Sequence, residues 1–529
     1  MALLLWACII ALLVYLWFDK ILKPHKFWKN RGIIHNKPVP IFGDTLDNVR
    51  RKESFAALTT KLYNQFSNER YFGWYQFMSP ILMIRDLDLI KQIGIKDFDY
   101  FTDHVSFSTE DIDPLWSKNL FSNKGQKWRE MRPALSPSFT GSKMKMIFHL
   151  MVECAENFVQ YYLEKNEKIV TVEMKDVFTR FTNDVIASAA FGVNCNSLKD
   201  PENGFYKRGL EITDFSGFKG LRFFFYKISP ILTKLFNITI ISKEAGKFFK
   251  SIIEDSIKLR EEQRIIRPDI LHMLMEAKKG KLSDDSTNSN SEGFATAQEA
   301  AYHNTSKKTV ITDDDIVAQA IIFFIAGFDS SSTLMTYLAY ELAVDQEVQQ
   351  KLYQEIYETD KLCNGKLTYD ELVKMKYLDM VVSETLRKWP PTPTTDRACT
   401  KNYVIPASKP GEKDVTIEKG TTVWFPIYGL HMDPQYYPDP TKFDPERFSD
   451  ENKHKIKSGT FVPFGVGPRN CIGSRFALME NKIIVYFILK YFKIVPIERS
   501  VIPVVLSKKH FNMTAEGGMW LGLEKRSLI

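Results

Sequence analysis

The longest apolar run of the chain lies at its start. Residues 2–18 read ALLLWACIIALLVYLWF, seventeen apolar side chains in succession, and a helix that crosses a bilayer needs about 20, in a range beginning near 17. Five basic residues follow, Lys20, Lys23, Lys26, Lys29 and Arg31. The positive-inside rule then places the amino terminus across the membrane and the rest in the cytoplasm. A cleaved signal peptide would open on basic residues and close on small ones, and this run does neither. Residues 1–19 are therefore expected to form an uncleaved, single-pass transmembrane anchor. Residues 20–45, which include the stiff NKPVPIFG at 36–43, are expected to form a basic, proline-containing linker.

Beyond residue 46 the apolar positions recur at helical spacing in many segments. Strand-like runs are short, such as 81–84, and no internal repeat is present. The predicted fold class is mainly α with small β-sheets (α+β), in one catalytic domain over 46–529. Residues 277–308 are rich in Ser, Thr, Asn and Lys and are expected to be a flexible internal loop. Residues 312–343 read as one long helix, capped by Thr312 with Asp313, Asp314 and Asp315 at its positive end.

Composition narrows the picture little. A net charge of +7 over 529 residues is mild, and no basic-aromatic pattern points to nucleic acid. The six cysteines are scattered without zinc-like spacing, so reduced thiols are expected. The sequons at Asn237, Asn304 and Asn512 face the cytoplasm on the topology above and are expected to carry no sugar.

Chemistry concentrates in FGVGPRNCIG at 464–473, which runs directly into an apolar helix. Cys471 thus sits on a glycine-rich turn at a helix start, where the dipole and free N–H groups favour a thiolate. Gly465, Gly467 and Gly473 permit positive φ and close approach to a flat ligand, and Arg469 can reach an anion on it. Taken alone, such a cysteine is more often structural. A second oddity is the middle of the long helix, AGFDSSST at 326–333, where glycine and hydroxyl residues weaken helicity. Elsewhere, Glu384 and Arg387 are three apart on one helix face.

Phe464, Gly467, Arg469, Cys471 and Gly473 match F-x-x-G-x-R-x-C-x-G at every fixed position, and the chain thereby resembles the cytochrome P450 superfamily. The resemblance implies a haem-thiolate monooxygenase carrying haem b, with Cys471 as axial iron ligand and Phe464 beside the sulfur. It implies that Asp329 and Ser330 relay protons, with Ser330 where threonine is usual. It implies that Glu384, Arg387 and Arg447 of the P-E-R-F segment form a folding network. It implies that Trp128, Arg132, Arg397 and Arg469 face haem propionates, with His431 a weaker candidate. Residues 215–236 would dip into the membrane surface. Phe323, Phe324, Thr394, Thr395, Phe511 and the stretch 101–121 would line the substrate pocket. NADPH would act only through a separate NADPH–cytochrome P450 reductase, docked on a basic face including Lys124, Lys127, Arg129, Lys143, Lys145, Lys453, Lys455 and Lys457. Cytochrome b5 is a second candidate donor.

The segments at 128–144, 443–452 and 464–480 look most like insect microsomal members, CYP family nine. That implies oxidation of lipophilic foreign compounds, such as plant toxins and insecticides, at the endoplasmic reticulum. Oxidation of an endogenous hormone or fatty acid, and an O2-independent isomerase, are the alternatives left open.

Overall fold

The computed structural model describes residues 23–214, 230–236, 238–280, 293–296 and 310–526, together with Trp6, Tyr15 and Asp19. The expected anchor lies almost wholly outside the described residues, as do most of the expected loop and most of 215–236. The helix Ile270–Lys278 runs two residues into the predicted loop.

The segment predicted as a linker is part of the fold from Pro24 onward. Trp28 is fully buried, and its indole N–H donates to the Trp74 carbonyl at 3.1 Å. A Cβ on Gly73 would collide with the Trp28 ring. Proline and charge hid this, because one buried tryptophan outweighs the polarity of its neighbours.

Among the described residues helices dominate, and three small sheets flank them. Strands β1 (Tyr71–Gln76), β2 (Ser79–Ile84), β3 (Ile169–Glu173), β4 (Thr395–Ala398), β5 (Tyr403–Ile405), β6 (Val415–Ile417), β7 (Thr422–Phe425), β8 (Phe492–Val495) and β9 (Trp520–Lys525) pair as β1-β2-β7-β4, β3-β9-β8 and β5-β6. The β2–β7 pair is parallel and the others are antiparallel.

Six helices position the site: α1 (Gly125–Leu135), α2 (Gly141–Leu163), α3 (Met174–Ile186), α4 (Asp313–Val344), α5 (Lys376–Lys388) and α6 (Ser474–Tyr491). Helix α4 is the axis of the core and packs against α3, α5 and α6. Its start is the predicted one: Thr312 Oγ1 accepts from the Asp315 N–H, and the Asp315 carboxylate accepts from the Thr312 N–H, a reciprocal cap. Among the described residues it is the one helix long and apolar enough to cross a membrane, yet most of it is buried in protein, as expected of an all-round apolar core helix.

Candidate active site

The loop before α6 is held by its backbone. The Cys471 N–H donates to the Phe464 carbonyl at 2.9 Å, closing the turn. Gly467 lies at φ +71°, and a Cβ there would overlap the Gly94 carbonyl oxygen, so this position admits glycine alone. Gly473 differs from expectation: its φ is −92° and an added Cβ would stand 3.9 Å from Phe139. The polypeptide itself does not require glycine there.

The Cys471 side chain is solvent-accessible although many protein atoms surround it. Burial raises its pKa, while the Gly473 N–H and the Arg132 guanidinium pull the other way. Burial prevails among these causes. A bound metal cation would supply the difference, since coordination deprotonates a thiol outright.

Three guanidiniums gather near the cysteine. Arg469 donates to the carbonyls of Thr102 (2.7 Å), Leu120 (3.1 Å) and Asn123 (2.5 Å) and lies over Trp128 at 4.3 Å. Arg397 donates to the Val466 carbonyl at 2.8 Å, and its buried Nε meets no acceptor. Arg132 donates to the Asn470 carbonyl and amide oxygen. Burial, then repulsion from Arg397, drives the Arg469 pKa well below its ordinary value, and burial takes Arg397 down to about 10. The carboxylate reaching Arg469, Asp103, stands 3.9 Å away. Asp396 is already occupied by His104 (3.0 Å) and the Val105 N–H (2.6 Å).

His431 is not available to this cluster. Its ring is fully buried, with Nδ1 3.1 Å from the Arg387 carbonyl and Nε2 accepting from the Val462 N–H at 3.0 Å. Both nitrogens are used, and burial holds its pKa down to about 3. It is a neutral pin between α5 and the cysteine-loop segment.

On α4, Ser330 Oγ donates to the Ala326 carbonyl at 2.6 Å. Asp329 is approached by two groups for which the sequence carries no signal. Lys175 Nζ, on α3, lies 2.9 Å from Asp329 Oδ1 and also donates to the Asp329 carbonyl, Ser332 Oγ and Thr333 Oγ1. The Asn512 amide donates to Asp329 Oδ2 at 2.6 Å. Burial would raise the Asp329 pKa, but Lys175 and then Asn512 hold it below the usual value. Asp329 therefore rests as a clamped carboxylate. Thr182 Oγ1 and Ser332 Oγ both donate to the Phe328 carbonyl, so side-chain hydroxyls share the carbonyls of this turn while the helix runs on unbroken.

Below the cysteine loop, Arg387 donates bidentately to Glu384 at 2.7 and 2.8 Å, both side chains fully buried, and Arg447 Nε stands 3.5 Å from the same carboxylate. The Asp444 N–H completes the acceptor set. Several expected pocket residues pack against other aromatic side chains. Phe324 is buried among Phe205, Phe249 and Phe328, and Phe101 packs on Tyr403. Phe323 is half-buried against Phe139, and Phe511 lies against Phe55.

The cytochrome P450 family model matches residues 35–521. The chain is 44% identical over 518 residues to cytochrome P450 9e2 of Blattella germanica, covering 95% of this chain and 94% of that protein. It is 41% identical to probable cytochrome P450 9f2 of Drosophila melanogaster, with 98% of each covered. It is 36% identical to cytochrome P450 6k1 of Blattella germanica over 94% and 93%.

Proposed function

This chain belongs to the cytochrome P450 family and is a haem monooxygenase, and on that premise we propose that it oxidises lipophilic foreign compounds at the endoplasmic reticulum membrane with electrons from a separate NADPH-dependent reductase. One observation carries the assignment of the site: an accessible cysteine before a helix start lies near the buried guanidiniums of Arg132, Arg397 and Arg469, and the Arg397 Nε meets no acceptor. A haem fits that donor set. Cys471 would ligate the iron, and Arg132, Arg397 and Arg469, with Trp128 against Arg469, would take the propionate carboxylates. The unpartnered Arg397 Nε offers a donor to such an anion. Phe464 supplies the carbonyl that fixes the Cys471 N–H.

When bound, haem supplies reductive activation of dioxygen and insertion of one oxygen atom into substrate, the other leaving as water. The chain's share is proton management and exclusion of bulk water. Ser330 holds its hydroxyl proton toward the Ala326 carbonyl and would turn from it to donate in the active site. Asp329, ionised against Lys175, accepts a proton from solvent only when that clamp loosens, which meters delivery. Glu384, Arg387 and Arg447 act by folding the segment beneath the cysteine loop.

The resemblance to CYP family nine supports the foreign-compound assignment, and the apolar run at 2–18 with its basic flank supports membrane attachment with the catalytic domain cytoplasmic. The exposed Lys124, Lys127, Lys453, Lys455 and Lys457 support docking of an acidic flavoprotein, or of cytochrome b5, on the cysteine side. The test is turnover of a panel of plant toxins, insecticides and endogenous lipids in membranes holding the protein and reductase, with and without NADPH. NADPH-dependent products with one added oxygen, absent in Cys471→Ala, are expected from the foreign compounds. Oxidation of endogenous lipids alone would overturn the substrate assignment, and NADPH-independent products would overturn the electron route.

A further inference from the structure

The clamp on Asp329 has two holders of different kinds. Lys175 Nζ meets Asp329 Oδ1 and three further acceptors, the Asp329 carbonyl, Ser332 Oγ and Thr333 Oγ1, all on α4. Its own helix is bonded to the same turn, since Thr182 of α3 donates to the Phe328 carbonyl. Lys175 therefore moves with α4. Asn512 makes a single bond to Asp329, from its amide to Oδ2 at 2.6 Å, and it comes from a hairpin 183 positions away.

That hairpin is firm at its base and loosely held at its tip. The Ser507 N–H donates to the Thr514 carbonyl and the Glu516 N–H to the Val505 carbonyl, each at 2.7 Å. The Val504 N–H donates to Tyr340 Oη of α4 at 3.0 Å, and Met513 is buried. Between these fixed points Lys508, Lys509 and His510 are exposed, and side chains hold the tip. His510 Nδ1 lies 3.1 Å from Ser507 Oγ. Phe511 is 47% exposed and leans on Phe55 of the helix Phe55–Gln65, with ring centroids 4.3 Å apart. A segment with few buried contacts opens more readily than a packed helix pair, so Asn512 is the holder that lets go.

Other charges around Asp329 are engaged. On α3, Asp176 pairs with Arg180 at 2.9 Å, and Asp184 accepts the Ser197 N–H at 2.9 Å. On β3, Glu173 accepts the Asp176 and Met519 N–H groups at 2.6 Å each. His510, on the hairpin itself, favours the ionised form of Asp329 when it carries a proton.

We propose that Asn512 is a positioning residue, the releasable latch on the Asp329 carboxylate: an apolar, ring-bearing compound that takes the place of Phe55 against Phe511 lifts the hairpin tip and frees Oδ2. An aromatic pair is the contact such a compound competes for. With Oδ2 free, Asp329 takes up a proton from solvent and passes one on toward Ser330. The inference rests on the relay role given to those two residues above; the coupling of Phe511 to Asn512 does not.

The test uses the haem-loaded full chain, the variants Asn512→Leu, Asn512→Gln and Phe511→Ala, and two probes of equal carbon count, hexylbenzene and dodecane. Amides of residues 507–516 should exchange with D2O about two- to tenfold faster with hexylbenzene than with dodecane, the size of one lost hydrogen bond. In Asn512→Leu they should exchange fast with neither probe present, and in Phe511→Ala the difference between probes should disappear. Equal exchange with both probes in the unaltered protein, or a difference that survives Phe511→Ala, would overturn the latch. In turnover with reductase and NADPH, the acid limb of the pH profile should rise by about one unit in Asn512→Leu, since a donor to the charged form is gone. Asn512→Gln, which keeps the amide, should bring it back toward the unaltered position. An unmoved limb in Asn512→Leu would overturn the positioning role. Failure of the unaltered protein to form any NADPH-dependent product would instead sink the proposed function and leave the exchange result to judge the latch.

Discussion

Replacing Glu480 by glutamine should make the native state indifferent to a proton that it otherwise holds. In the folded chain the carboxyl is pushed up from 4.5 to about 8, whereas unfolding returns it to water and to its ordinary value. Between those two pH values the folded state binds the proton and the unfolded state does not, so stability falls as pH rises through the window. The span is three and a half pH units, and at about 1.4 kcal/mol per unit it amounts to roughly 5 kcal/mol as an upper limit. From pH 6 to 8 the wild-type protein should lose roughly 2 kcal/mol relative to Glu480→Gln, and above pH 8 the gap should level off. At a denaturant sensitivity of about 3 kcal/mol per molar urea, this displaces the midpoint by about 0.7 M. The assay is urea unfolding of both haem-loaded proteins, followed by tryptophan fluorescence at pH 6, 7, 8 and 9. The difference between the two curves removes every titration they share. Midpoints that run parallel across the series would refute the reasoning, because Glu480 would then carry no extra proton.

Arg387→Met should cost about 3–5 kcal/mol, the usual penalty for orphaning a buried charge, since Glu384 would keep only the Asp444 N–H and a guanidinium 3.5 Å away; the yield of haem-loaded protein and its urea midpoint report it. Lys175→Met should let the Asp329 pKa rise from its depressed position and carry the acid limb of the pH–turnover profile to higher pH, while Lys175→Arg restores it; an unmoved limb would detach Lys175 from the relay. Gly467→Ala should abolish loading with haem, because the new methyl meets the Gly94 carbonyl at a left-handed φ. Gly473→Ala should preserve the fold, as circular dichroism melting would show, given its ordinary φ and the 3.9 Å clearance.

Local rules read well wherever one segment carries its own explanation. The cap at Thr312, the acidic first turn and the polar lapse at 326–333 are all visible in consecutive residues, and α4 starts at Asp313 as they require. The loop around Cys471 is legible for the same reason. What failed to show is long-range. Lys175 and Asn512 reach Asp329 from 154 and 183 positions away, and Asn512 drew notice only as part of a sequon. A glutamate inside a helix reads as a solvated position, yet Glu480 is interior because α6 is enclosed by α2, α4 and α5. His431 was misplaced because a histidine before Asp-Pro does not disclose that two backbone groups claim both its nitrogens.

The crowding of Arg132, Arg397 and Arg469 has a consequence for the protein's fate in the cell. Like charges in a low-dielectric interior repel strongly, and repulsion from Arg397 and Arg132 adds to burial in lowering the Arg469 pKa. A dianionic prosthetic group that neutralises them acts as a folding ligand as well as a reagent, and it stabilises the native state by mass action. The standing amount of enzyme should therefore follow haem supply more closely than it follows synthesis of the chain. Cells starved of haem would make the polypeptide and pass much of it to quality control, so induction of the message would overstate the rise in oxidising capacity.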